Sequence, residues 1–179
     1  MSYDVDFNMN TDEKNIFKKY KNEFPFKIVE FVNELGIKVS AVEMIDPTVS
    51  GAICKEENRY RIYINNSHAP TRLRFTLAHE LGHYYNDKKY LDSVSEILDP
   101  SKQAQKGTFL FRQTTPDINL EMRKMDVEAN KFAAELLMPE EKFIEVWRNE
   151  TTPEAVAKFF GVSVEAIKIR ASIVLGEIF

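Results

Sequence analysis

Two histidines and a glutamate within the segment His-Glu-Leu-Gly-His are the residues of this chain best suited to chemistry. They are His79, Glu80 and His83. Residues four apart lie on the same side of a helix, so both imidazoles can reach one ion. Imidazole nitrogen is a preferred ligand of zinc, and a carboxylate beside the ion can take a proton from an attacking water. The spacing therefore predicts a hydrolytic metal centre, with His79 and His83 as ligands and Glu80 as catalytic base.

A catalytic zinc usually takes three protein ligands, so a third must come from another part of the chain. His68 precedes the motif in a predicted loop, and Lys89 stands where a three-histidine metalloprotease would carry its third histidine. A carboxylate on a later predicted helix is therefore favoured. The candidates are Glu121, Asp126, Glu128 and Glu135. Glu128 and Asp126 fall on nearly opposite faces of that helix, and periodicity alone does not decide between them.

Hydrophobic periodicity predicts the elements that must position these residues. An amphipathic helix closed by Gly36 leads into a strand, and a hairpin directly precedes the motif helix. Further helices follow Pro116. The predicted helices cover 28–35, 71–84, 117–138, 140–148, 153–160 and 164–174, and the predicted strands cover 37–45, 51–55 and 59–65. We expect an α+β fold with a small mixed or antiparallel sheet packed against the motif helix, and a C-terminal helical region resembling a helix-turn-helix.

Three segments are expected along the chain. Residues 1–24 form a polar, helical N-terminal extension, residues 25–150 the catalytic domain, and residues 151–179 a C-terminal helical subdomain. Within the second, residues 87–116 lose clear periodicity, and we interpret them as a flap near the cleft. A long irregular connection of this kind is either functional or disordered, and the sequence does not separate the two.

Composition excludes several classes of protein. The chain has 179 residues, of which 44% are hydrophobic, enough to bury a core. It contains no apolar run of membrane-spanning length, and Met1–Asn10 does not resemble a signal peptide. The lone cysteine, Cys54, fits a reducing compartment. We therefore expect a cytoplasmic protein without membrane partners.

The C-terminal region offers a different function, because small and apolar residues around Gly161 follow helix-turn-helix spacing. From residue 152 onward its three cations are balanced by three glutamates, and the whole chain has a net charge of −4. Binding to duplex DNA needs a basic surface. Direct DNA binding is therefore not expected, and a role in packing or substrate recognition is favoured.

Two blocks of sequence resemble the ImmA/IrrE family of metallopeptidases. They are PTRLRFTLAHELGHYYN at 70–86 and EANKFAAELLMP at 128–139, and the likeness extends over about residues 26–175. The resemblance implies a zincin-like domain in which His79, His83 and Glu128 bind the metal and Glu80 is the base. Zinc is favoured by the ligand types, although Mn²⁺ and Fe²⁺ accept the same set.

The same resemblance implies a regulatory endopeptidase that cleaves a helix-turn-helix repressor or antitoxin-like protein in a phage or mobile-element circuit. The alternative is a metal-binding regulatory module, binding DNA or protein with little catalytic turnover.

Peptide hydrolysis also needs a group that stabilises the oxyanion, for which Tyr84, Tyr85, His68 and Arg72 are candidates. A hairpin strand could hold the substrate by edge addition.

Overall fold

A three-stranded sheet and the helix that follows it form the centre of the fold. The computed structural model describes residues 7–44, 46–56, 58–95, 116–150 and 152–176. The elements of this part of the chain are α1 (Thr11–Tyr20), α2 (Ile28–Glu34), β1 (Lys38–Val42), β2 (Gly51–Glu56), β3 (Arg59–Asn65), α3 (Pro70–Asn86), α4 (Lys88–Ser95), α5 (Pro116–Leu137), α6 (Glu140–Asn149), α7 (Pro153–Phe160) and α8 (Val164–Leu175). The expected α+β class is confirmed.

The sheet is mixed, with strand order β1-β3-β2. The central strand β3 pairs in parallel with β1 and antiparallel with β2. Asn58, just before β3, has a φ of 62°, a left-handed conformation that asparagine tolerates better than most residues. Ile53 and Ile62 lie opposite each other in the hairpin and are buried in the core. The arrangement leaves β2 at one edge of the sheet.

The motif helix α3 lies between the sheet and α5, and it contacts both. Pro70 occupies its first turn, where the missing N–H has no helical partner to lose. Leu77 and Leu81 are buried on α3, and α5 contributes Ala133 and Leu136 to the same core. Because α3 is packed on both sides, its polar side chains are held in fixed positions.

The N-terminal part of the chain covers one side of this core. Asn10 caps α1 by accepting a hydrogen bond from the Glu13 N–H, and the Glu13 side chain accepts one from the Asn10 N–H. Phe7 and Met9 are buried ahead of the helix, and Phe17 packs against the core from α1 itself.

The C-terminal helices are packed onto the same core. Thr152 and Ser163 cap α7 and α8 with their side chains, as their residue types favour. Gly161 ends α7 with a φ of 67°, a left-handed conformation natural to glycine. Phe160 and Ile167 are fully buried in the main hydrophobic cluster.

The segment 87–116 is more regular at its start than its composition indicates, because Lys88–Ser95 forms α4. Asp92 ties α4 to the hairpin by accepting hydrogen bonds from the Tyr60 hydroxyl at 2.5 Å and the Lys55 ammonium at 3.0 Å. The interpretation as a flap concerns mainly residues 96–115, which lie outside the described residues. Every described helix is too short or too polar to cross a bilayer.

Candidate metal centre

Two imidazoles from α3 and one carboxylate from α5 converge on a common point. His79 Nε2 and His83 Nε2 lie 3.1 Å apart. Asp126 Oδ1 lies 3.8 Å from the first nitrogen and 3.4 Å from the second. Within the described ranges, these are the three side chains grouped closely enough to hold one metal ion.

These donors fit a divalent ion in both spacing and chemistry. At zinc bond lengths of about 2.0–2.2 Å, donor atoms at two corners of a tetrahedron are roughly 3.3–3.6 Å apart. The distances between the three donor atoms, 3.1–3.8 Å, bracket that value. Two imidazoles and one carboxylate form a common catalytic zinc set, and manganese or iron can use the same ligands.

Neighbouring side chains orient both histidines. The Nδ1 of His79 lies 2.9 Å from Asn130 Oδ1, and the Nδ1 of His83 lies 2.7 Å from Asp87 Oδ2. Because an oxygen acceptor at Nδ1 requires a proton there, each ring turns its Nε2 towards the common point. The site therefore includes the partners that hold metal-binding histidines in one tautomer.

Glu80 lies beside the three ligands and faces the sheet. It is 7% exposed and accepts a hydrogen bond from the backbone N–H of Ile53 in β2. A Cβ at Gly51 would lie 3.4 Å from its Oε1, so the edge strand passes close to this carboxyl group. Burial raises the pKa of Glu80 to about 7. A carboxyl group with a pKa near neutrality is suited to accept and release a proton.

The three candidate ligand side chains are electrostatically coupled. Burial, together with the smaller effect of the charge of His83, lowers the pKa of His79 to about 4. Burial also acts to lower the pKa of His83, but hydrogen bonds to Asp126 and Asp87 outweigh it and raise that pKa to about 10. The hydrogen bond from His83 in turn lowers the pKa of Asp126. Metal binding would displace the proton that His83 holds at Nε2.

A cleft of about 340 Å³ opens onto the centre. One wall is α3 with Phe75 and Thr76, and the opposite wall is formed by β2 and the loop before it. Besides the three ligands, the lining residues are Thr48, Val49, Ser50, Gly51, Ala52, Ile53, Arg72, Phe75, Thr76, Glu80 and Asn130. Glu80 is thus accessible from the same space as the ligands.

Glu128, the expected third ligand, lies outside this group. Its side chain is 56% exposed and accepts a hydrogen bond from Lys131 Nζ at 2.7 Å. Asp126 precedes it by two positions and points in nearly the opposite direction around α5, so only one of the two can face α3. The structure places Asp126, and not Glu128, beside the two histidines, so Asp126 is the candidate third ligand that the geometry favours.

Three of the four candidates for oxyanion stabilisation make contacts away from the cleft. The Tyr84 hydroxyl donates to Glu13 Oε1 at 3.0 Å on the side of α3 that faces α1. The Tyr85 ring is buried and stacks on Phe132. His68 Nε2 donates to a backbone carbonyl of the loop before β2 at 3.1 Å. None of the three lines the cleft.

Arg72 is the remaining candidate, and it does line the cleft. Its guanidinium donates to the Ser50 hydroxyl through Nη2 at 2.8 Å and Nε at 3.2 Å. The contact connects α3 to the loop on the opposite wall and places a cation in the wall of the cleft.

Sequence reasoning passed over two residues of the site, Asp87 and Asn130. Both carried a usable signal, because Asp87 follows His83 by four positions and Asn130 follows Asp126 by four. That spacing places each pair on one helix face. A carboxylate or amide one turn from a histidine or carboxylate ligand is a reasonable search pattern for such orienting partners.

Comparison with known proteins adds three findings. The protein family Peptidase_M78, described as the IrrE N-terminal-like domain, matches residues 32–172. No curated protein matches the chain. A solved structure of a Mycobacterium tuberculosis transcriptional regulator has a similar fold, with a TM-score of 0.57, 17% identity, and coverage of 94% of this chain and 47% of that one. The chain thus spans about half the length of that structural neighbour.

Proposed function

Because the chain belongs to the Peptidase_M78 family of IrrE N-terminal-like domains, as its two motif blocks indicate, we propose that it is a metal-dependent endopeptidase. The observation that carries the proposal is the convergence of His79, His83 and Asp126 on one point. Glu80 lies beside them with an elevated pKa. Three protein ligands and one adjacent carboxyl group are the set that metal-assisted hydrolysis requires.

A bound divalent ion, zinc by preference, would act as a Lewis acid towards the attacking water and the scissile carbonyl. In our mechanism the protein supplies the remaining functions. Glu80 takes the proton from the attacking water and passes it to the leaving nitrogen. Asn130 and Asp87 hold the two imidazoles in position. Arg72, in the wall of the cleft, would supply positive charge that favours the developing oxyanion.

The substrate backbone is proposed to lie along the edge strand β2. Residues 51–53 of this strand line the cleft, and among the described residues β3 pairs with its other side. The Ile53 N–H donates to Glu80, so an extended peptide would pair with the remaining backbone groups of this edge, which makes few demands on side chains. A substrate-complex structure with the peptide away from β2 would contradict this part of the proposal.

We propose a regulatory role in the cytoplasm, with a helix-turn-helix repressor or antitoxin-like protein as the substrate. The support is the family, whose members the sequence resembles in both motif blocks. The test is incubation of metal-loaded protein with repressors encoded beside it, in parallel with the Glu80→Gln variant. Cleavage by the wild type alone is expected. An intact repressor in both reactions would refute this substrate.

A second candidate function is a metal-dependent regulatory module with little turnover. It is favoured by the α7–α8 pair, which has capped helices joined through the left-handed Gly161. Such a protein would bind the same ion and the same repressor without cutting it. Binding to the repressor by both the wild type and the Glu80→Gln variant, with no product from either, would favour this alternative.

A further inference from the structure

A second and larger depression lies beside the cleft, between α5 and α8. We call it the α5–α8 groove, and it encloses about 1080 Å³. Its lining includes Val127, Lys131 and Ala134 on α5, Met138 just after that helix, and Ala166, Ile169 and Ile173 on α8, and within each helix these residues are three or four positions apart. Polar residues also line it, among them Glu128 and Glu135 of α5 and Arg72 of α3.

The groove concentrates the apolar side chains that the protein leaves exposed. Of the large hydrophobic residues that are exposed in the described part of the chain, most line it. Val127 is 49% exposed, Ile169 54% and Ile173 70%. Large apolar side chains grouped in one concave surface mark an interaction site, whereas isolated ones are ordinary.

The charges of α8 do not suit nucleic acid. In a DNA-binding helix-turn-helix, the second helix presents basic and polar side chains to the groove of the duplex. On α8 the exposed positions are occupied by Glu165, Ile169, Ser172 and Ile173, and Arg170 is buried in an ion pair with Glu135. The fully exposed face of α8 therefore carries no basic side chain, which suits a protein partner better than DNA.

The groove is continuous with the metal cleft. Arg72, Phe75 and Asn130 line both, and Asn130 is the residue that contacts His79. A polypeptide held in the cleft can therefore extend into the groove without leaving the protein surface.

We propose that the α5–α8 groove binds an amphipathic helix of the protein substrate, close to the segment that enters the cleft. The apolar residues that α5 and α8 contribute form a surface into which a third helix inserts side chains at positions i, i+3 or i+4, and i+7. The inference rests on the proposed function for the identity of the partner as a substrate. The proposal that the groove binds a helix depends only on the geometry of the groove.

The first test measures binding without catalysis. A displayed library of random 14-residue peptides is selected on the full chain in the Glu80→Gln background, so that captured peptides stay intact. Enriched sequences are expected to carry apolar residues at i, i+3 or i+4, and i+7. Ile169→Lys and Ile173→Lys should each weaken their binding by about tenfold or more.

The matched controls are Leu120→Lys and Val29→Lys, since both side chains are exposed, at 59% and 46%, and neither lines the groove. They should leave affinity unchanged, and circular dichroism should show that all four variants are folded. Failure to enrich peptides with a helical apolar stripe would overturn the proposal. Equal binding to the groove variants and the controls would do the same.

The second test connects binding to cleavage. A selected helix is joined by a flexible linker to an unstructured reporter peptide and offered to the zinc-loaded wild type. The fused helix should raise kcat/KM by about tenfold or more in the wild type, and it should give no gain in Ile173→Lys. Equal cleavage with and without the helix would refute the substrate role. Helix binding with no cleavage of any reporter would refute the proposed function and leave the helix site intact.

Discussion

Gly82 of α3 lies against Ala129 of α5 so closely that a Cβ on residue 82 would be 2.8 Å from the Ala129 Cα. Gly82 is the fourth residue of the metal-binding motif, between the two histidines. The absence of a side chain here lets the two helices approach, and Asp126 reaches His83 because they do. The glycine of the motif therefore has a structural role in assembling the centre.

We expect Gly82→Ala to destabilise the protein and weaken metal binding. An alanine inside a helix normally stabilises by up to about 1 kcal/mol relative to glycine. Here the new methyl group must push α5 away, and overpacking costs about 1–3 kcal/mol. Urea unfolding and zinc titration would measure both effects. The Gly82→Ala/Ala129→Gly double variant should recover little, since the Ala129 Cα and O are nearer than its Cβ.

Asp126→Asn should reduce zinc affinity by more than about 100-fold, because loss of an orienting partner alone costs about 10- to 100-fold. Glu128→Gln is the matched control on the same helix and should change affinity by less than about threefold, since its exposed pair with Lys131 is remote from the centre. Isothermal titration calorimetry distinguishes the two. The opposite ranking would restore Glu128 as the third ligand.

Asp87→Ala and Asn130→Ala should each weaken metal binding by about 10- to 100-fold while preserving the fold. Each removes the oxygen that holds the Nδ1 proton of one histidine. Competition with a chromogenic chelator gives the affinity, and circular dichroism checks the fold. Unchanged affinity in both variants would show that packing alone orients the imidazoles.

The sequence predicted the motif helix, the hairpin and most helix boundaries because local patterns determine them. The i, i+4 histidines, the alternation in Arg59–Asn65 and the glycine after Phe160 each act over a few residues. The parallel pairing of β1 with β3 depends on how distant segments meet, and the sequence left the sheet as mixed or antiparallel.

The choice of the candidate third ligand could not be predicted from local sequence patterns. Periodicity separated Asp126 from Glu128 but could not tell which side of α5 faces α3. The close approach of Ala129 to Gly82 shows which side of α5 faces α3, and Asp126 lies on that side. That contact joins residues far apart in the chain, and no local pattern reports it.

Arg74 joins the motif helix to two other parts of the chain, and its loss should be costly. Its guanidinium donates to the Phe26 carbonyl at 2.8 Å and the Gly161 carbonyl at 3.0 Å, and burial lowers its pKa. Since a hydrogen bond from a charged group contributes about 1.5–3 kcal/mol, Arg74→Met should lose about 2–4 kcal/mol of unfolding free energy. Arg148→Met, at an exposed position of α6, should lose little. Equal losses in urea denaturation would contradict the role of Arg74.

The docking of α4 should depend on pH. The hydrogen bond from Tyr60, with that from Lys55, holds the pKa of Asp92 below its usual 3.8. A carboxylate with a depressed folded pKa stabilises the fold above its unfolded pKa and loses that contribution as pH falls through the folded value. The stability gap between wild type and Asp92→Asn should be full at pH 6 and should shrink below about pH 4. Urea midpoints across that range provide the measurement, and a constant gap would disprove the linkage.

His83 and Asp126 stand 43 positions apart in the chain, on different helices. When α3 and α5 separate, only the two histidine nitrogens remain close together. These two donors bind an ion far more weakly than the complete set of three. Cobalt bound in place of zinc would therefore lose its tetrahedral visible spectrum as these helices separate. The visible absorbance would thus report the packing of α3 against α5. By the same linkage, the tighter the ion is held, the more heat or denaturant the native chain withstands.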